Sequence, residues 1–291
     1  MKFSIITPSF RNSQWLKLCI ASVADQTGVE HEHLVQDSCS DDGTQDWLPH
    51  DPRVQAFIEK DAGMYDAINR GWRRSTGEIV SYLNCDEQYL PGTLHAVHDF
   101  FASHPSVDVL LPDTIVVDAG GRYLCHRPSL VPRLPGVWVR FNVTTSSLFI
   151  RRRVLDEMGL YFDPQWRVLG DNFWILEAVR RGVVFATLRR FASVFTETDT
   201  NLGLTANALR ERAEKTRRMP RWVKVLAPLL VLQHRVRMLA TGAHRQAPFD
   251  YAIYTLASPD RRTTLHAARP TIRWHRPPTA PSIHPAHELA S

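Results

Sequence analysis

Five short apolar runs, separated by segments of helical spacing, organise the first 111 residues. Phe3–Thr7, His33–Gln36, Val54–Ile58, Ile79–Leu83 and Val107–Leu111 read as strands. Between them, Ser13 is placed to cap a helix whose apolar positions are Trp15, Leu18, Cys19 and Val23. A short helix ends at Trp47, Met64–Arg74 is another, and Pro91 sits where the first turn of a helix reaching about Ser103 begins. This alternation leaves few architectures open. It implies α/β, with a doubly wound, Rossmann-like, mainly parallel sheet.

An open sheet of that kind binds ligands beyond the carboxyl ends of its strands. Ile79–Leu83 delivers Asn84, Asp86 and Glu87 to that edge, an oxygen-rich cluster suited to a hard divalent cation holding phosphate. The first strand ends at Thr7-Pro8-Ser9-Phe10 and the second at Asp37, followed by Ser38. Side chains at neighbouring strand ends can grip a base and a ribose, and Asp37 could accept the imide N–H of a uracil or a ribose hydroxyl. Asp42-Gly43-Thr44 fits a tight turn opening a helix, and by itself it is equally well no more than a turn. Taken together, these loops read as a sugar-nucleotide site.

Ser4-Ile-Ile-Thr-Pro8, Asp37-Ser-Cys-Ser-Asp-Asp-Gly-Thr44, Asp61-Ala-Gly-Met-Tyr-Asp-Ala-Ile-Asn-Arg-Gly71, Gly77-Glu-Ile-Val and Leu83-Asn-Cys-Asp-Glu87 resemble, in order and spacing, the family-2 glycosyltransferases of the GT-A fold. The likeness covers about residues 3–190 and is nearest to bacterial enzymes that build exopolysaccharide or lipopolysaccharide sugars. It implies an inverting transfer from a nucleotide-sugar donor, with UDP expected, to a glycan or lipid-linked acceptor. Pro8, Ser9, Asp37 with its neighbour Ser38, and Asp61 would hold the nucleotide part. Asn84-Cys-Asp86 stands where the family carries Asp-x-Asp, which makes Asp86 the ligand of Mn²⁺ or Mg²⁺. Asn84 replaces the first acidic residue, and Glu87, where another Asp is common, would orient rather than coordinate. Leu169-Gly-Asp-Asn-Phe-Trp174 resembles the family's acidic position before an aromatic helix, so Asp171 would be the general base, with Gly170 in place of a frequent Glu. Asp171 could also act as an N-cap; the two roles are compatible.

The rest of the chain is less regular. Ile115–Val117 and Tyr123–His126 suggest a hairpin around Asp118-Ala-Gly-Gly, Thr144–Ile150 and Val183–Thr187 suggest strands, and Arg152–Met158 and Asp171–Arg181 suggest helices. The catalytic domain is expected to span 1–204. A basic, amphipathic helical segment would follow at 205–241, and a Pro/Arg/His-rich, poorly ordered tail at 242–291. The net charge is +5, yet residues 205–239 alone carry nine Lys/Arg against two Glu, so the remainder is slightly acidic. A local basic segment argues against nucleic-acid binding and for a local anionic partner. Its apolar positions 222, 225, 229, 232, 236 and 239 oppose Arg217, Arg221, Lys224 and Arg235. That pattern suits either an anionic membrane interface or docking on the enzyme's own core or a partner, and Pro228 is expected to kink or break the helix.

No signal core and no membrane-spanning run is evident, so a cytoplasmic location is expected, peripheral on the inner membrane face at most. The four cysteines lack metal or redox spacing. Cys19 reads as a buried thiol, and Cys39 and Cys85 as candidates for reactivity in the site loops. Two rival functions are a nucleotidyltransferase, for which Thr7–Asn12 lacks the Gly and Lys of a phosphate loop, and a non-catalytic membrane or polyanion adaptor.

Overall fold

The computed structural model describes residues 1–141, 143–198 and 206–274, so the expected 204/205 boundary and the chain beyond residue 274 lie outside the described residues. The strands are β1 Phe3–Ser9, β2 His31–Asp37, β3 Gln55–Ile58, β4 Ile79–Tyr82, β5 Glu87–Tyr89, β6 Val109–Asp118, β7 Tyr123–Arg127, β8 Phe149–Arg151, β9 Phe185–Glu197, β10 Phe249–Thr255 and β11 Ser258–Ala267. The helices are α1 Ser13–Ala24, α2 Thr44–Trp47, α3 Met64–Arg74, α4 Thr93–Ser103, α5 Gly136–Val139, α6 Arg153–Asp156, α7 Gly170–Arg180, α8 Ala206–Arg218 and α9 Arg221–Ala240.

One curled sheet runs in the order β3-β2-β1-β4-β8-β6-β9-β5, with β7 also paired to β6. β3, β2, β1 and β4 are mutually parallel, as is the long β6·β9 pair; β8, β5 and β7 run antiparallel to their neighbours. Helices cover both faces, which is why every residue of β1 and β4 is buried and neither strand alternates between apolar and exposed polar residues. On one face, Tyr65, Ile68 and Trp72 of α3 pack with Trp174, Ile175 and Ala178 of α7. On the other, Cys19 and Val23 of α1 meet Leu94, Val97 and Phe101 of α4. This is the expected GT-A, Rossmann-like architecture.

Several local expectations give way to tertiary contacts. Ser13 does not cap α1; its N–H instead donates to Asp42 across the β2–α2 loop at 2.8 Å. The runs at 107–111 and 115–117 merge into one ten-residue strand, Val109–Asp118, because β9 supports β6 along its length. Of 144–150 only the end is strand, preceded by a 3₁₀ turn at Thr145–Ser147. Glu87–Tyr89 is a strand that periodicity could not reveal, since three residues are too few for a pattern. Pro228 does not break α9, which runs on for 20 residues; the ring lies on the exposed side, where water can serve the carbonyl it leaves without a partner.

The expectation of a poorly ordered tail from residue 242 is corrected for 249–267. β10 and β11 form an antiparallel hairpin there, and Tyr251 and Ile253 pack with Leu90, Ile115, Val117 and Val194. The Pro and Arg content that suggested disorder lies largely outside these two strands. Cys85 is also corrected: burial pushes its thiol up to about 12, and Asn12 Nδ2 donates to its sulfur at 3.2 Å, so it is not poised as a thiolate.

Candidate functional site

The carboxyl ends of β1, β2 and β4 meet along one edge. Register places Ser9 beside Asp37 and Asp37 beside Ile58. Asp37 is fully buried, and its carboxylate accepts from the N–H and hydroxyl of Ser40 at 2.8 and 2.7 Å. That turn fixes the carboxylate while leaving second lone pairs on both oxygens. Asp61 accepts the Gly63 N–H at 2.8 Å, and its own N–H donates to the Ser38 hydroxyl at 3.4 Å, which ties the β3–α3 loop to the β2 loop. Gly63 has φ +112°, a conformation closed to most side chains. Pro8 lies buried within β1, opposite Gln36.

Phe10, passed over in the sequence as a site residue, is 51% exposed at this rim. The Arg11 guanidinium lies 5.0 Å from its ring centroid and the Lys60 ammonium 6.0 Å. An exposed aromatic directly after a site strand was the available signal.

Below the rim, Asn84, Asp86 and Glu87 turn from β4 into β5. Glu87 is fully buried and its Oε2 accepts the Asn84 N–H at 2.9 Å, an orienting contact. Burial pushes the Asp86 and Glu87 carboxyls up; Asp86 and, more weakly, Asp171 add to the effect on Glu87. Among the described residues no cation partners Asp86, and Ser9 Oγ, Asn84 Oδ1 and Glu87 Oε1 are buried with no hydrogen-bond partner. Such orphaned oxygens beside an uncompensated carboxylate fit an incoming cation and a polar ligand. Among the described residues no group of three or more His, Cys, Asp or Glu could hold a metal alone. A cation at this edge would need further oxygens from a bound ligand.

Asp171 enters from the other half of the sheet, at the start of α7. Its N-cap position is Leu169, so it is not the cap. Its Oδ1 accepts the Asn172 N–H at 2.7 Å and the Tyr65 hydroxyl at 3.3 Å. Burial pushes its carboxyl up to about 6, despite the opposing hydrogen bonds and the Lys215 charge. Gly170 has a local reason: a Cβ there would stand 2.6 Å from the Tyr65 ring, so no Glu fits without moving the tyrosine that holds Asp171. Tyr65 itself belongs to an aromatic cluster around Phe162, with ring centroids 4.8 Å away for Tyr65 and 4.9 Å for Trp72. Asn69, inside the 61–71 motif, clamps the Phe162 backbone by bonds of 2.8 and 3.0 Å. The structure thus gathers Ser9, Asp37, Ser38 and Asp61 at one loop cluster. Asp86 and, more weakly, Asp171 both push up the carboxyl of the buried Glu87.

Comparison with known proteins agrees with this geometry. Residues 4–158 match the family model described as glycosyl transferase family 2. Over 179 residues the chain is 30% identical to a PGL/p-HBAD biosynthesis glycosyltransferase of Mycobacterium bovis, covering 58% of this chain and 66% of that protein. An uncharacterized glycosyltransferase of Nostoc is 24% identical over 59% of this chain and 58% of its own length. Among solved structures, Staphylococcus aureus TarS 1-349 in complex with UDP-GlcNAc superposes with a TM-score of 0.60 at 20% identity, covering 80% of this chain and 67% of that one. The mannosyltransferase PcManGT from Pyrobaculum calidifontis, in complex with GDP-Man and Mn²⁺, gives 0.53 at 19% identity, covering 79% and 68%.

Proposed function

Because the chain belongs to glycosyltransferase family 2, we propose that it moves a sugar, with inversion, from a UDP-linked donor to a hydroxyl of a glycan or lipid-linked glycan. The observation that carries this is a pair of separate buried carboxylates, Asp86 and Asp171, each of which also raises the Glu87 carboxyl. Each is a carboxylate raised by burial, one at the nucleotide edge and one at the head of a helix entering from the opposite half. Ser9, Asp37, Ser38 and Asp61 take the nucleoside, and Phe10 offers a face for the base. Asp86, supported by Asn84 and Glu87, would hold a divalent cation, which would supply neutralisation of the charge developing on the departing nucleoside diphosphate.

Asp171 then acts as general base. An acceptor hydroxyl is a poor nucleophile near neutral pH, and a positioned carboxylate must take its proton during attack. Tyr65 and the Asn172 N–H both occupy Oδ1, so among the described residues Oδ2 is the oxygen free for that proton. A carboxyl raised to about 6 is a stronger base than an exposed aspartate, yet ionised at neutral pH. One base opposite one leaving group requires no covalent sugar–enzyme intermediate.

The acceptor reading extends to a membrane surface. α9 docks on the body through Val223 and Leu230, while Trp222, Val225, Leu229, Leu232, Val236 and Leu239 face outward, Val225 at 78% exposure. Arg221, Lys224 and Arg235 line one flank, also exposed. An outward apolar stripe with a cationic border matches an anionic lipid interface. Among the described residues no helix is long and apolar enough to cross a membrane.

The test is a thermal-shift panel of UDP- and GDP-sugars with and without Mn²⁺, followed by assay of nucleotide release. A ligand at 100 times its Kd stabilises by about 2.7 kcal/mol. No shift with any donor, and no nucleoside diphosphate released from any of them, overturns the glycosyltransferase reading. For α9, Leu229→Glu with Leu232→Glu should abolish flotation with phosphatidylglycerol vesicles and leave donor shifts intact. Equal flotation of parent and variant overturns the membrane reading.

A further inference from the structure

The basic C-terminal extension contains a carboxylate that faces inward. Glu211 lies on α8, between two arginines in sequence, yet it is 5% exposed. Its Oε1 accepts the Arg167 N–H at 2.7 Å, and its Oε2 accepts the N–H groups of Val168 and Leu169 at 3.0 and 2.8 Å. Three consecutive backbone donors converge on one side chain. They belong to the loop that ends at the N-cap of α7, two residues before Asp171.

The same loop is held from its other side. The Tyr65 hydroxyl reaches the Val168 carbonyl at 3.0 Å and Asp171 Oδ1 at 3.3 Å. Val168 is therefore pinned by its N–H to α8 and by its carbonyl to α3. One turn further along α8, Lys215 donates to the Val137 carbonyl at 3.2 Å, which fixes α8 against α5. A buried carboxylate is unfavourable unless its hydrogen bonds are well formed. Here they are three, charge-assisted and short.

We infer that α8 is part of the catalytic site, with Glu211 as a positioning residue that sets the 167–169 backbone and thereby the direction from which Asp171 meets the acceptor hydroxyl. This rests on the assignment of Asp171 as base. Glu211 touches neither donor nor acceptor in this scheme. Its removal should change the rate of proton transfer and leave nucleotide binding alone.

The experiment uses the full chain. Glu211→Gln keeps the size but puts an amide NH₂, which cannot accept, against backbone donors. For UDP release from UDP-GlcNAc with Mn²⁺, with UDP-glucose and GDP-mannose run in parallel, kcat should fall about 10- to 100-fold, the scale of a misplacement near 1 Å. KM should stay within twofold. Glu211→Asp, which retains both acceptor oxygens, should recover part of kcat. Amide exchange supplies a readout independent of turnover. The 167–169 amides should be protected in the parent and exchange at least tenfold faster in Glu211→Gln, with residues 175–178 unchanged. A variant with parental kcat, or one in which KM rises in step with the loss of kcat, overturns the inference. So does free exchange at 167–169 in the parent, which remains decisive if Glu211→Gln fails to fold. Asp171→Asn is the control. If it keeps full turnover, the base assignment fails rather than the clamp.

Discussion

Residues 3–90 and residues 206–274 satisfy their polar groups in opposite ways. In the first region three site carboxylates are held by bonds a few residues away: Asp37 to Ser40, Asp61 to Gly63 and Glu87 to Asn84. In the second, beside local pairs such as Glu214 with Arg217, the contacts that tie it to the body span the chain. Glu211 reaches 42 to 44 residues back, Tyr254 pairs with Gln88 across 166, and Arg262 meets Asp25 across 237. Local closure writes itself into a motif, because the turn, its glycine and its carboxylate must be adjacent in sequence. Distant closure leaves no such trace.

That difference governs what could be read in advance. The α/β alternation, the strand ends and the polar residues around Asp37 and Asp86 were legible from spacing, whereas the role given to Asp61 came through resemblance. Asp171 was found only through resemblance, since Tyr65, which holds it, lies 106 residues away. Glu211 looked like one of two acids diluting a basic helix. The choice between a membrane-facing and a docked α9 was posed as exclusive, yet the helix has a docked side, with Val223 and Leu230, and an outward apolar side. Periodicity finds a stripe but not which stripe has a partner.

Removing residues 205–291 tests the comparison most severely. If the second region were an appendage, the remainder would fold. The structure instead has the extension completing two hydrophobic clusters and the loop before Asp171. The truncated chain is expected to lose cooperative unfolding altogether by calorimetry. A truncated protein that melts like the parent would sink the claim that the two regions are one unit.

Next in size is Asp86→Ala. Glu87 is fixed to the Asn84 backbone through Oε2 and stands one residue beyond Asp86, so Mn²⁺-dependent UDP binding by calorimetry should fall below detection in Asp86→Ala and transfer with it. Retained metal-dependent binding would move the metal elsewhere. Glu87→Ala should do less to affinity, because its contact is with the Asn84 backbone.

Asp171→Asn should leave UDP binding intact while lowering turnover by about 10²- to 10⁴-fold, the usual worth of a general base. Its stability effect has a sign. Because the folded carboxyl titrates at about 6, above the unfolded value, the fold holds the protonated form more tightly. That stabilisation is full below about pH 4 and is lost as pH rises through 6. Near pH 7 the neutral Asn should therefore be neutral or stabilising by thermal melts. In the parent, turnover should fall about tenfold per pH unit below 6, measured with Mn²⁺ saturating; a flat rate down to pH 5 argues against Asp171 as base.

The smallest expected effect lies where the tail hairpin is pinned to α1. Arg262 sends two nitrogens to Asp25, with Nη2 at 2.7 Å, and a third to the Ala252 carbonyl at 2.8 Å, while its guanidinium stacks 5.0 Å from the Tyr254 ring. Its side chain is 12% exposed and that of Asp25 32%, so the pair is shielded from water on one side only. A bidentate, half-shielded pair is worth more than a surface bridge and less than a buried one. Arg262→Ala should thus cost about 1–2 kcal/mol, or roughly 2–6 °C in Tm. Arg262→Lys should recover little, since an ammonium cannot fork to both carboxylate oxygens and stack at once. Donor binding should not change, because the hairpin meets α1 at the end remote from Ser13 and the strand-end loops. A loss of UDP affinity in Arg262→Ala would mean that the two regions communicate through α1, and the separation between locally closed site and distantly closed frame would have to be redrawn.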